Sequence, residues 1–151
     1  MEGRFLMNPS HTDLTALLAR VEAATGPDRA LDCHIALACG WEFVTVHHWH
    51  APKGFRLPLG TLANPPFFTS SLDVTLALCS RVLPGWTFAN INQDDTKRWW
   101  SELREGYQTS FNRVAISGPC PAPALALLVA MLRAKIAETT PTTHTGGRDD
   151  G

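Results

Sequence analysis

Hydrophobic residues recur at helical spacing in four stretches of the chain, and at strand spacing between them. The clearest stretch covers residues 64–86. Pro65 and Pro66 hold its approach extended. Thr69, Ser70 and Ser71 are all N-cap types, and Ser70 with Asp73 has capping-box spacing. Leu72, Leu76, Cys79 and Leu83 then share one helix face, and Pro84-Gly85 stops the helix. Nearer the start, Ser10 and Asp13 open a helix carrying Leu14, Leu17, Leu18 and Val21, which Gly26-Pro27 ends. Another begins near Asp28, puts Leu31, Ile35 and Ala38 on one side, and has Gly40 just past its end. The last follows Pro121 and Pro123 and carries Leu125, Leu128, Val129, Leu132 and Ile136, widened by Leu127 and Met131. So broad an apolar stripe predicts a helix buried on most of its sides. Arg133 and Lys135 near its end are expected to complement the helix dipole.

Between these helices, residues 41–49 read as a strand, and 55–57 as a short one inside a proline-rich connection. After the third helix, Trp86 and Phe88 alternate with Thr87 and Ala89 in a strand over 86–91. Asn92 to Asp95 make a polar turn, residues 99–104 another strand, and 108–117 a third with Phe111, Val114 and Ile116. Strands so close in sequence predict an antiparallel meander. A helical hairpin on one face and the last two helices on the other give an α/β/α three-layer sandwich (α+β) with a small, mainly antiparallel sheet. Helices gathered on one face are the alternative. Residues 1–9 form a leader, 10–138 one domain, and 139–151 a tail with no apolar pattern, expected to be disordered.

Composition narrows the function. The 151 residues are 44% hydrophobic and 18% charged, with a net charge of −1. That balance excludes a dedicated, non-specific nucleic-acid binder. No apolar run is long enough to span a membrane, and Met1-Glu2-Gly3-Arg4 does not lead into a signal peptide, so a cytoplasmic protein is expected. Cys33, Cys39, Cys79 and Cys120 contain no C-x-x-C pair and read as free thiols.

Several runs together resemble a known family. They are Leu31-Asp32-Cys33-His34-Ile35-Ala36, Gly40-Trp41, Pro65-Pro66-Phe67-Phe68-Thr69-Ser70-Ser71-Leu72-Asp73 and Leu83-Pro84-Gly85-Trp86. Pro121-Ala122-Pro123-Ala124-Leu125-Ala126-Leu127-Leu128 and Leu132-Arg133-Ala134 complete the set. Across residues 31–137 the chain resembles the phage ABA-sandwich domain of small phage and prophage proteins. Phe68, where that pattern has Tyr, and Pro123 in the last helix depart from it. The resemblance implies a three-layer fold and a phage or prophage origin in a bacterial host cell. It supplies no activity and no site residues.

No nucleophile elbow, Walker loop or dinucleotide fingerprint is present. Cys120, in a proline-rich turn, is the one cysteine expected to be exposed enough for catalysis. His47, His48 and His50 are the densest titratable cluster, and His48 and His50 would share one strand face, as two metal ligands can. A small metal-dependent hydrolase built on these histidines is therefore one alternative, and a structural virion component another. The principal expectation is a binding protein without catalysis or cofactor. Free N–H groups at the helix start near Phe68, Thr69, Ser70 and Ser71 attract anions. Trp99, Trp100 and Arg104, with Arg98 and Tyr107 nearby, can stack and clamp a base or form a protein hot spot. The expected partner is a host protein, blocked as an anti-defence act, or a small nucleotide signal held by sequestration. Self-association through an exposed helix is also open.

Overall fold

The computed structural model describes residues 10–44, 54–56, 62–63, 65–107 and 110–139. The expected leader, the histidines at 47, 48 and 50, and residues 140–151 lie outside these.

Local chemistry sets the helix boundaries. In α1 (His11–Ala23) the Ser10 hydroxyl accepts the Asp13 N–H at 3.1 Å, and the Asp13 carboxylate accepts the Ser10 N–H at 3.3 Å. Leu14, Leu17 and Val21 are its buried face. Asp28 caps α2 (Arg29–Ala38) by accepting the Leu31 N–H, and Gly40, at φ 95°, follows its end. A small antiparallel sheet follows in the order β1 (Glu42–Val44), β2 (Gly54–Arg56), β3 (Leu62–Ala63).

The third helix, α3 (Leu72–Val82), starts one residue later than its spacing suggests. Its cap is Ser71, which accepts the Val74 N–H, rather than Ser70. The Phe67 carbonyl accepts the N–H groups of both Ser70 and Ser71, and that turn holds Ser70 outside the helix. The buried face is rotated accordingly, onto Thr75, Leu78, Cys79 and Val82. Gly85, at φ 91°, then turns the chain into the next strand.

The meander forms as expected: β4 (Trp86–Gln93), β5 (Trp99–Tyr107) and β6 (Ser110–Ile116) pair antiparallel in sequence order. Packed against all three strands is α4 (Pro123–Thr139), which also touches α1 and α3. Every residue from Ala124 to Leu132 is buried, so α4 has no solvent face over that length, as its broad stripe predicts. Each fully buried leucine there contributes roughly 1.5–3 kcal/mol. Arg133 and Lys135 do not cap their own helix. Arg133 reaches the Ile116 carbonyl and Glu22, and Lys135 reaches the Val82 carbonyl and Glu138, so both bind α4 to its neighbours.

The result is an α+β fold of four described helices and an antiparallel meander, with helix laid against the sheet. Leu103 and Ala115 fill the sheet's inner face. Its outer face, carrying Arg104 beside Val114 and Glu102 beside Ile116, is covered by none of the described helices. Val114 and Ile116 are 51% and 48% exposed. The expected second helical layer is thus not seen among the described residues. On that face Thr87, Asn90, Asn92, Glu102 and Arg104 stand with the apolar Val114 and Ile116.

Candidate functional site

The outer face of the sheet holds a shallow cleft of about 460 Å³, lined by Asn90, Asn92, Asp94, Trp100, Glu102 and Ile116 among others. Cross-strand register places Asn92 beside Trp100, and Asn90 beside Glu102, which is in turn beside Ile116. A β-bulge makes this grouping. Strict alternation from Trp86 would send Asn90 and Asn92 inward with Phe88. The register shifts between Phe88 and Asn90, so Phe88 pairs with Leu103 while Asn90 pairs with Glu102. The extra residue turns both asparagines outward.

Trp100 is fixed in place. Its indole N–H donates to Asp94 Oδ2 at 2.9 Å. Asp94 Oδ1 accepts from the Thr96 hydroxyl and from the N–H groups of Thr96 and Arg98, which folds the turn between β4 and β5. The Thr96 hydroxyl, then the Trp100 indole and the Arg98 amide, hold the Asp94 carboxyl well below the usual carboxylate range. Glu102 accepts from Arg104 Nε through one oxygen. The side-chain amides of Asn90 and Asn92 are exposed and have no hydrogen-bond partner among the described residues. The cleft therefore offers an aromatic surface, two uncommitted amides and a carboxylate oxygen.

The residues expected to bind a ligand are only partly gathered here. Trp100 lines the cleft, and Arg104 lies further along the same face. Trp99 alternates to the other side, where it packs on the core and its backbone pairs with Cys120. The Phe68 to Ser71 group is engaged elsewhere. Phe68 is 2% exposed and meets Trp41 edge to face at 6.4 Å. Thr69 is buried, donating its N–H to Asp32 at 2.7 Å and accepting the Asp28 N–H at 2.8 Å. Ser71 caps α3, while Ser70 is exposed in the turn. Phe67 is the exposed member of the aromatic pair, with the Arg29 guanidinium 4.0 Å above its ring. This end of the molecule uses its polar groups to join α2 to α3.

Cys120, expected to be exposed, is 5% accessible, and burial pushes its thiol upward in pKa. Burial raises Cys39 and Cys79 further, each to about 12. The described cysteines are free thiols, and Cys33 is the half-exposed one. Among the described residues no three His, Cys, Asp or Glu side chains converge on a metal-binding point. No described helix is long and apolar enough to cross a membrane.

Asn90, Asn92 and Glu102 do not stand out in the linear sequence. The available signal was a mismatch: two asparagines at positions that alternation assigns to the core, for which a bulge is the physical remedy.

Fold and cleft together define a small α+β protein with an open, polar sheet face centred on one tryptophan. The chain matches no protein-family model, no curated protein and no solved structure.

Proposed function

We propose that this chain is a non-enzymatic binding protein that holds its partner on the outer face of β4–β6. The observation that carries this reading is the cleft around Trp100, where a pinned aromatic ring stands beside uncommitted amides. Apolar surface with a few convergent polar groups is the usual composition of a binding site. Binding in a one-to-one complex is sufficient for sequestration, and no base or nucleophile is required. A phage or prophage accessory role in the cytoplasm of a bacterial host belongs to the same proposal, on the residues that resemble the phage ABA-sandwich domain. The three-layer order of that family would need helical cover over the outer face, whereas the binding reading takes that face as open.

Of the two partner types expected, the cleft disfavours the nucleotide. Asp94 and Glu102 line it, and two carboxylates repel a phosphate. The test is affinity capture from bacterial host lysate, with mass spectrometry of bound proteins and small molecules. Wild-type protein should retain one species at near-equal stoichiometry and unchanged mass. Trp100→Ala should lose it, and Phe67→Ala should keep it. Capture that ignores Trp100, or a bound species recovered chemically altered, overturns the proposal.

A further inference from the structure

The cleft also restricts the chemistry of what it can bind, and this step rests on the binding reading above. We infer that the Trp100 cleft takes an uncharged saccharide ring, stacked on the indole and held by its hydroxyl groups.

The indole N–H of Trp100 is already given to Asp94, so the ring offers a ligand its faces and edges alone. An aromatic face carries partial negative charge and attracts C–H groups polarised by neighbouring oxygens. A sugar ring presents such C–H groups on its flat side. At its rim it presents adjacent hydroxyls, each both donor and acceptor. The surroundings of Trp100 match that rim. Asn92 is its direct cross-strand neighbour, and Asn90 and Glu102 form the next pair along the strands. Cross-strand neighbours stand roughly 5 Å apart, and successive pairs on one face roughly 7 Å apart. Each asparagine amide has a donor and an acceptor to spend, and Glu102 keeps the oxygen not given to Arg104. A hydroxyl donating to that carboxylate makes a charge-assisted bond, stronger than a neutral one.

Other ring ligands fit less well. A phosphorylated one brings negative charge towards Asp94 and Glu102. A free base gains most from being held between two rings, and among the described residues lining the cleft Trp100 is the one aromatic, with Ile116 as the other large apolar side chain. Against one ring, hydrogen bonding at the rim decides, and a carboxylate with two amides favours hydroxyls.

Nuclear magnetic resonance of ¹⁵N-labelled full chain tests this. The Trp100 indole signal is assigned by its loss in Trp100→Phe. The probes are the methyl glycosides of glucose, galactose, mannose and N-acetylglucosamine, with adenosine and adenosine monophosphate for comparison. At least one glycoside should shift the Trp100 signal saturably at millimolar concentration, with the other indole signals still. Asn90→Ala and Glu102→Gln, both on the exposed face, should each weaken that binding about 3-fold to 10-fold. If adenosine or its monophosphate saturates the signal below every glycoside, the sugar class is wrong and the binding reading stands. If no probe moves the signal while lysate capture still depends on Trp100, the sugar class again fails alone. If Trp100 matters in neither experiment, both fall.

Discussion

Replacing Asp32 with alanine should cost far more than a surface charge normally would. Asp32 is 1% exposed. One carboxylate oxygen accepts the Thr69 N–H at 2.7 Å and the other accepts Arg29 Nη1 at 2.9 Å. Asp32→Ala leaves the buried Thr69 N–H without a partner, a loss of roughly 1–3 kcal/mol. The Arg29 contribution is smaller, because that side chain is 44% exposed and still reaches the Pro65 and Pro66 carbonyls. Solvent screening holds it to about 1 kcal/mol or less. The expected total is roughly 1–4 kcal/mol. Asp32→Asn keeps an oxygen for the Thr69 N–H but turns a donor-only NH2 towards Arg29, so it should cost about 1 kcal/mol, less than the alanine substitution. Urea denaturation followed by circular dichroism measures both. Two results refute the reasoning: Asp32→Ala within about 0.5 kcal/mol of wild type, or equal damage from the two substitutions.

Leu128→Ala, at the fully buried centre of α4, should cost about 3–4 kcal/mol by the same assay. Ser101→Ala should be neutral or stabilising, since the buried Ser101 hydroxyl has no hydrogen-bond partner among the described residues; a loss above about 1 kcal/mol would contradict this. A thiol-specific reagent at neutral pH should modify Cys33 first, and Cys39, Cys79 and Cys120 only after urea is added. Cys39 and Cys79 lie at about 12 when folded, against 9.0 ordinarily, so their contribution to stability is intact below pH 9.0 and is lost as pH rises towards 12. A urea midpoint that falls over that window, less steeply in Cys79→Ala, checks the sign. Asp94 behaves in the opposite sense. Its carboxyl is held below the usual range, so its bond to the Trp100 indole should persist as pH falls through that range and break only below it. The Trp100 indole resonance should therefore stay constant from about pH 7 to about pH 3, where an ordinary aspartate is mostly protonated.

Much of the fold was legible because several local signals agreed. Ser10 with Asp13, Asp28, Gly40 and Gly85 mark helix ends chemically, and each stands where its type requires. The width of the apolar stripe from Leu125 to Leu132 announced a helix buried on most of its sides. What enclosed it was not legible. A stripe records burial and does not say whether sheet or helix provides it. In the molecule α4 takes β4–β6 on one side and α1 and α3 on others. The Ser70 cap also failed. Residue type allowed Thr69, Ser70 or Ser71 and spacing favoured Ser70, but the turn in which the Phe67 carbonyl accepts the Ser70 and Ser71 N–H groups leaves Ser71 as the cap, while Thr69 is bonded to Asp32 37 residues away.

The site was hidden by a single residue. Strand alternation is a two-residue code, so one insertion reverses the face of everything beyond it. Read straight through, β4 pairs Asn90 and Asn92 with the core and leaves Trp100 alone on an exposed sheet. With the bulge between Phe88 and Asn90, both amides come to the side that carries Trp100 and Glu102. The same shift moves two polar side chains off the face against which α4 packs. The bulge thus changes both faces at once: it takes asparagine off the helix-packed side and sets two amides beside the tryptophan. Removing the extra residue, Ala89, should test both consequences together. It should destabilise the sheet and abolish ligand-dependent shifts at Trp100. A stable deletion that still responds to ligand would show that the asparagines are not part of the rim.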